Sequence, residues 1–71
     1  MPRKIRELKA DLRKAGFISR TAKGSHTFWR HPLLPGERVT VSGKDGADAK
    51  TYQEDEVQEA LDKLRKAQRH P

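Results

Sequence analysis

Apolar side chains recur with helical spacing over the first fifteen residues. Intervals of three, four and three separate Ile5, Leu8, Leu12 and Ala15, which places them on one face of a helix. Pro2 suits the first position of a helix, and Gly16 suits the residue just past its end. The pattern therefore predicts a helix from Pro2 to Ala15. The opposite face of this helix would carry a ridge of basic side chains: Arg6, Lys9, Arg13 and Lys14.

Three short segments in the middle of the chain have the composition of β-strands. They contain aromatic and β-branched residues between turn-forming residues, and they cover Phe17–Arg20, Ser25–His31 and Arg38–Val41. Thr21–Gly24 is predicted to form the first turn, and Leu33–Gly36, which ends in a Pro-Gly pair, to form the second connection. Connections this short predict an antiparallel meander.

A polar loop and a second helix complete the chain. Gly43–Lys50 contains two glycines and two aspartates and predicts a surface loop. Thr51 and Glu54 have the spacing of a capping box, and the helix is predicted to continue to about Gln68. Its apolar stripe would comprise Val57, Leu61, Leu64 and Gln68, flanked by Ala60 and Ala67. The acidic first turns and basic last turns match the helix dipole.

The predicted elements have the order α-β-β-β-α and belong to the α+β class. Two amphipathic helices and a three-stranded antiparallel sheet bury their apolar faces when both helices lie on one face of the sheet. The other face of the sheet then stays open to solvent or to a ligand. A chain of 71 residues is long enough for one domain, and we expect residues 1–71 to form it.

Positive charge is concentrated in the first half of the chain. The net charge is +6, and residues 1–31 contain nine Lys and Arg against two acidic residues. This asymmetry favours a polyanionic partner, although surplus charge on solvated faces also serves solubility.

Composition excludes several kinds of site. The sequence has no cysteine, which excludes disulfides and thiolate metal sites. The three histidines lack the spacing of metal ligands, so we expect neither a metal nor another cofactor. No apolar run has the length of a membrane span or of a signal-peptide core. We therefore expect no contact with a membrane and a cytoplasmic location.

Alternation in the second predicted strand separates two sets of side chains. One face carries Thr27, Trp29 and His31, and the other carries His26, Phe28 and Arg30. Trp29 is the largest hydrophobic residue, so we expect its face to point to the helices. The second set then lies on the open face of the sheet, where Phe28 can stack on a base while Arg30 binds a phosphate.

His26 is the candidate for proton transfer in RNA cleavage. A histidine can take and give a proton near neutral pH, and removing the proton of a ribose 2′-hydroxyl lets that oxygen attack the adjacent phosphate. A cation can stabilise the developing charge without a metal ion. The candidates for binding RNA are Lys23, Ser25, Phe28, Arg30 and Arg20. His31 faces the other way and is a weaker choice. From the residues alone, His26 can equally be an ordinary surface histidine.

A series of short motifs along the chain is shared with a known family. In order they are Gly16-Phe17, Lys23-Gly24-Ser25-His26, Arg30-His31-Pro32 and Val39-Thr40-Val41. From residue 3 to about residue 65 this series resembles the HicA toxins, the mRNA-cleaving members of type II toxin–antitoxin pairs. The Gly-Ser-His element is its most specific part.

The resemblance implies a fold, an activity and a partner. It implies a double-stranded-RNA-binding-domain-like fold of order α-β-β-β-α, a ribonuclease acting on mRNA, and an essential histidine at the position of His26. It also implies inhibition by a HicB antitoxin that covers the active face. The longer last helix, which starts with acidic residues instead of Lys-Gly-Thr-Leu, and the longer loop Leu33–Glu37 indicate a variant branch.

Two other functions fit the same fold and charge. One is a non-catalytic RNA-binding module of the same fold. Duplex readers of this fold present a basic start of the last helix to phosphates, whereas this chain has Glu54, Asp55 and Glu56 there, which leaves single strands on the sheet as the mode of binding. The other is a protein-interaction domain whose charge steers an acidic partner. Both functions are compatible with the same charge, so only an assay of RNA cleavage distinguishes them from a ribonuclease.

Overall fold

The computed structural model describes residues 3–69, which contain two helices and three strands. In chain order they are α1 (Ile5–Lys14), β1 (Ile18–Thr21), β2 (Thr27–Arg30), β3 (Val39–Val41) and α2 (Thr51–Gln68). The strands form an antiparallel sheet in the order β1-β2-β3. The predicted α+β class, the order α-β-β-β-α and the double-stranded-RNA-binding-domain-like arrangement are confirmed.

Both helices cover the same face of the sheet. α1 and α2 contact each other, and both contact β3. Their buried side chains join those of the sheet in a cluster that comprises Ile5, Leu8, Leu12, Phe17, Trp29, Val39, Val41, Ala49, Val57, Ala60 and Leu64. Trp29 is only 1% exposed, so the prediction that its face points to the helices is confirmed.

Trp29 is anchored by polar contacts as well as by packing. Its indole N–H donates to the hydroxyl oxygen of Thr27 at 2.9 Å, and the Thr27 hydroxyl donates to the Val41 carbonyl at 3.2 Å. The guanidinium of Arg13 in α1 lies 5.6 Å from the centroid of the indole ring. These contacts satisfy the single donor of the indole and hold this face of β2 against the helices.

The loop between β3 and α2 caps the start of α1. The amides of Ile5 and Arg6 donate to the carbonyls of Ala47 and Asp45 at 2.9 and 3.1 Å. The first amides of a helix have no partner within the helix, and here a loop that is distant in sequence supplies two of their acceptors. The loop therefore fixes the start of α1 together with Glu7, whose carboxylate accepts the Lys4 amide at 2.8 Å.

The start of α2 is held by a buried glutamine. The Gln53 side-chain oxygen accepts the Lys50 amide at 3.0 Å, and its NH₂ donates to the carbonyl and hydroxyl oxygens of Ser42 at 2.8 and 3.2 Å. These bonds tie α2 to the end of β3. The predicted capping box of Thr51 and Glu54 is wrong by one residue, because Lys50 and Gln53 occupy the corresponding positions.

The helices differ from the prediction at three further points. α1 spans Ile5–Lys14 instead of Pro2–Ala15, and Pro2 lies outside the described residues. In α2, Ala60 is buried and Gln68 is exposed, so Ala60 belongs to the apolar stripe and Gln68 does not. The predicted end of α2 near Gln68 is confirmed. No helix within residues 3–69 is long and apolar enough to cross a membrane.

The strands are shifted or shorter than predicted. β1 begins one residue later because Phe17 turns into the core, where it is 5% exposed. β2 lacks Ser25 and His26 at its start and His31 at its end, and β3 lacks Arg38. His26 therefore precedes the strand to which alternation assigned it.

Replacement of a core leucine should cost far more stability than replacement of an exposed one. Leu12 is fully buried and Leu33 is 50% exposed. We expect Leu12→Ala to lower the free energy of unfolding by about 3 kcal/mol, because it removes buried apolar surface and leaves a cavity. Leu33→Ala, the matched control, should change it by about 0.5 kcal/mol or less. Urea denaturation followed by Trp29 fluorescence measures both; equal losses would contradict this core.

Candidate functional site

A tight turn holds the backbone of His26. The Ala22 amide donates to the His26 carbonyl at 2.9 Å, and the His26 amide donates to the Lys23 carbonyl at 3.3 Å. Gly24 in this turn has a φ of +67°, a left-handed conformation that glycine adopts without steric cost. The Lys23–Ser25 turn thus holds the backbone of His26 in a defined position immediately before β2.

Ser25 links this turn to the loop that caps α1. Its hydroxyl oxygen accepts the Gly43 amide at 3.3 Å. Gly43 has a φ of +117°, and a Cβ atom there would lie 3.3 Å from Cγ1 of Ile5, so both the backbone conformation and the space favour glycine. The Ser25 hydroxyl therefore has a structural partner, and it holds the turn beside His26.

The His26 side chain lines a groove between β3 and α2, which we call the edge groove. The edge groove has a volume of about 530 Å³. Its lining residues are Phe17, His26, Leu34, Glu37, Arg38, Val39, Thr40, Ser42, Tyr52, Glu56, Glu59, Ala60 and Lys63. Because Gln53 binds Ser42, the neighbouring Tyr52 at the start of α2 is held on the wall of this groove. Side chains of both charges line it.

A second groove lies on the face of the sheet that the helices leave uncovered, and we call it the open-face groove. Its volume is about 570 Å³, and its lining residues are Ile18, Ser19, Arg20, Phe28, Arg30 and Arg38. Strand register explains the grouping, since Arg20 pairs with Phe28 and Ile18 pairs with Arg30, and directly paired residues share a face.

Arg38 connects the two grooves and was missed as a candidate from the sequence. It lines both grooves, and its guanidinium lies 4.4 Å from the centroid of the Phe28 ring. Phe28 lies on the open face as predicted, and it is half-buried beneath this guanidinium. The predicted strand Arg38–Val41 contained the available signal: with Val39 and Val41 facing the core, alternation puts Arg38 on the open face.

The predicted site residues do not form one cluster. Phe28, Arg30 and Arg20 come together around the open-face groove, whereas His26 lines the edge groove. Alternation grouped His26 with Phe28, but His26 lies outside β2. Lys23 and Ser25 are exposed in the turn before β2 and line neither groove.

The side chain of His31 packs and forms a hydrogen bond within the fold. Its ring meets the Phe17 ring edge-on, with centroids 5.2 Å apart, and its Nδ1 accepts the Leu33 amide at 3.0 Å. A Cβ atom at Gly16 would lie 3.1 Å from its Nε2. His26, in contrast, is exposed, and its ring makes no side-chain hydrogen bond to another residue of the described segment.

Two basic side chains of α1 make contacts within the fold. Lys9 pairs with Asp45 at 2.7 Å, and the hydrogen bond from Lys9 lowers the pKa of the Asp45 carboxyl. Arg13 lies over the Trp29 ring. Just before α1, the guanidinium of Arg3 donates to the carboxylate of Asp11, and this hydrogen bond raises the pKa of Arg3. Only Arg6 and Lys14 of the predicted ridge are exposed without such a contact within residues 3–69.

The comparison with protein families gives one match. The family described as "HicA toxin of bacterial toxin-antitoxin" matches residues 5–68, which is nearly the whole chain. Searches among curated proteins and among solved structures gave no match. The matched range extends from the first residue of α1 to the last residue of α2.

The two histidines should differ in their effect on stability. We expect His31→Ala to lower the free energy of unfolding by about 1–2 kcal/mol, because it removes the contact with Phe17 and the acceptor of the Leu33 amide. His26→Ala should change it by about 0.5 kcal/mol or less, as for other exposed positions. Chemical denaturation of both variants tests this. A large loss for His26→Ala would make His26 a structural residue.

Proposed function

Because the chain belongs to the HicA toxin family, the toxin half of a toxin–antitoxin pair, we propose that it is an endoribonuclease that cleaves mRNA and so blocks translation. The observation that carries this proposal is His26, an exposed histidine on the edge groove with Arg38 lining the same groove. A general base that shares a groove with a cation can supply two of the roles that RNA cleavage needs. Residues 1–71 would act as a single HicA-like domain.

The reaction we propose is transesterification at phosphorus. His26 accepts the proton of a ribose 2′-hydroxyl, and the 2′-oxygen bonds to the adjacent phosphorus. The bond between phosphorus and the 5′-oxygen breaks, and that oxygen takes up a proton. The products are a 2′,3′-cyclic phosphate and a 5′-hydroxyl end. This route needs no metal ion when cations stabilise the charge on the phosphate oxygens.

Side chains of the open-face groove and the turn would bind the substrate. Arg20 and Arg30 supply positive charge for phosphates, and Phe28 supplies an aromatic face for a base. Lys23 adds charge beside His26 in the turn. Ser25 contributes through the turn that it fixes to Gly43, and its exposed position allows contact with the RNA backbone.

The partner we propose is an antitoxin of the HicB type. Membership of the family implies an antitoxin, and the three arginines of the open-face groove favour an acidic surface on it. An antitoxin that covered this face and the edge groove would exclude RNA from both. Such a pair would meet mRNA in the cytoplasm.

A duplex-binding mode is not supported by the charge of α2. Its first half carries Asp55, Glu56 and Glu59, all exposed, and these carboxylates repel the phosphates that a duplex would bring to a helix start. The alternative function is a non-catalytic RNA-binding module of the same fold, which would bind single strands on the open face without cutting them.

The decisive variant is His26→Ala. We expect it to lower the rate of cleavage of a purified transcript by about 100-fold or more, because it removes the proton acceptor, and to abolish growth arrest on expression in bacteria. New 5′ ends, mapped by primer extension and tested for a hydroxyl rather than a phosphate, are the readout. His31→Phe, which keeps a ring against Phe17, is the matched control and should retain cleavage.

Two outcomes would contradict the proposal in different ways. Equal cleavage by wild type and His26→Ala would remove His26 from the reaction. Salt-dependent RNA binding by the wild type with no cleaved product would favour the non-catalytic module.

A further inference from the structure

Arg38 occupies the junction between the edge groove and the open-face groove. It precedes β3, is exposed, and lines both grooves. The Phe28 ring lies 4.4 Å from its guanidinium carbon, and within residues 3–69 it makes no ion pair with a carboxylate. A guanidinium held against an aromatic ring keeps its N–H donors available for an anion and loses little freedom when it binds one.

The two grooves differ in charge. The open-face groove is lined by three arginines, Arg20, Arg30 and Arg38, and by no carboxylate among the described residues. The edge groove is lined by three glutamates, Glu37, Glu56 and Glu59, beside His26, Arg38 and Lys63. Phosphates are therefore attracted to the open face and repelled from the α2 wall of the edge groove. The charges therefore favour an approach of a polyanion to His26 across the open face of the sheet, past Arg38.

The chemistry of the open-face groove favours an unpaired strand. Phe28 offers a half-buried ring, and Ile18 is 66% exposed on the same face. Aromatic and guanidinium planes stack on bases only where those bases are unpaired. Duplex RNA would present phosphates here and leave both apolar side chains unused.

Resting on the proposed ribonuclease activity, we propose that Arg38 binds the scissile phosphate of a single-stranded RNA that crosses the open-face groove to reach His26. Arg38 would then be a further catalytic residue, since it contacts the reacting phosphate and stabilises the charge that develops there. Phe28 is the positioning residue that holds the guanidinium at the junction. The substrate class is single-stranded RNA.

Four variants test this inference. Arg38→Met removes the charge, Arg38→Lys keeps the charge but not the planar fork, and Phe28→Leu removes the ring beneath an unchanged arginine. Arg65→Met is the matched control, because Arg65 is an exposed arginine of α2 that lines neither groove. Circular dichroism and thermal denaturation confirm that each variant is folded.

The first readout is binding of a short single-stranded RNA that carries 2′-O-methyl groups and is not cleaved. Fluorescence anisotropy over a series of salt concentrations should show about tenfold weaker binding for Arg38→Met. The slope of log affinity against log salt should fall by about 0.7, the value for one phosphate contact on a single strand. Arg38→Lys should restore the slope, and Arg65→Met should match wild type.

The second readout is single-turnover cleavage of the unmodified RNA. Arg38→Met should lower the rate at saturating protein by about tenfold beyond its effect on binding, because the cation acts on the transition state. Arg38→Lys and Phe28→Leu should give smaller losses.

The two readouts separate this inference from the proposed function. Wild-type binding and rates for Arg38→Met, with cleavage still lost in His26→Ala, would overturn the role of Arg38 and leave the ribonuclease intact. Loss of binding in Arg38→Met without any wild-type cleavage would contradict the ribonuclease while keeping the strand-binding surface. Equal affinity for duplex and single strands would overturn the substrate class.

Discussion

The burial of Trp29 is the constraint on which the rest of the structure depends. Its indole is enclosed by core side chains, donates to Thr27 and lies beneath Arg13. Once this residue of β2 faces the helices, its strand neighbours Phe28 and Arg30 must face the other way. Pairing between strands imposes the same division of side chains between the two faces on β1 and β3. One buried side chain thus sorts the sheet into a packed face and a charged face.

Much of the fold could be predicted from local pattern, because helical spacing and strand alternation are properties of neighbouring residues. The ends of the elements could not. The start of α1 at Ile5 is fixed partly by the nearby Glu7, whose carboxylate accepts the Lys4 amide. It is also fixed by the carbonyls of Asp45 and Ala47, which accept the first amides of the helix, and no local signal reveals acceptors from another part of the chain. The start of α2 depends in the same way on Ser42, which receives the side chain of Gln53.

In the candidate site too, local pattern predicts some features, and others depend on contacts between distant residues. Alternation placed Phe28 and Arg30 together on the open face, and strand pairing adds Arg20, which was predicted as a candidate without a place on that face. His26 was assigned to their face by an alternation that ends with β2, and the turn that holds it directs its side chain to the edge groove instead. Alternation alone puts Arg38 on the open face, whereas its contact with Phe28 forms only between the neighbouring strands β2 and β3. Contacts made between strands, rather than along them, were the missing information.

The loop that begins at Gly43 has a consequence for how the length of this chain can vary. It is tied at its start to Ser25, in its middle to α1, and at its end to Arg3, whose carbonyl accepts the Ala49 amide. An inserted residue would have to break one of these ties, and the tie to Ser25 supports the turn that carries His26. The Leu33–Glu37 connection is bonded mainly to itself and to the neighbouring His31, and its one distant tie is the exposed pair of Glu37 with Lys63 at 3.4 Å. Insertions in such exposed segments cost little. Among relatives, length differences should accumulate before β3 and be rare after it.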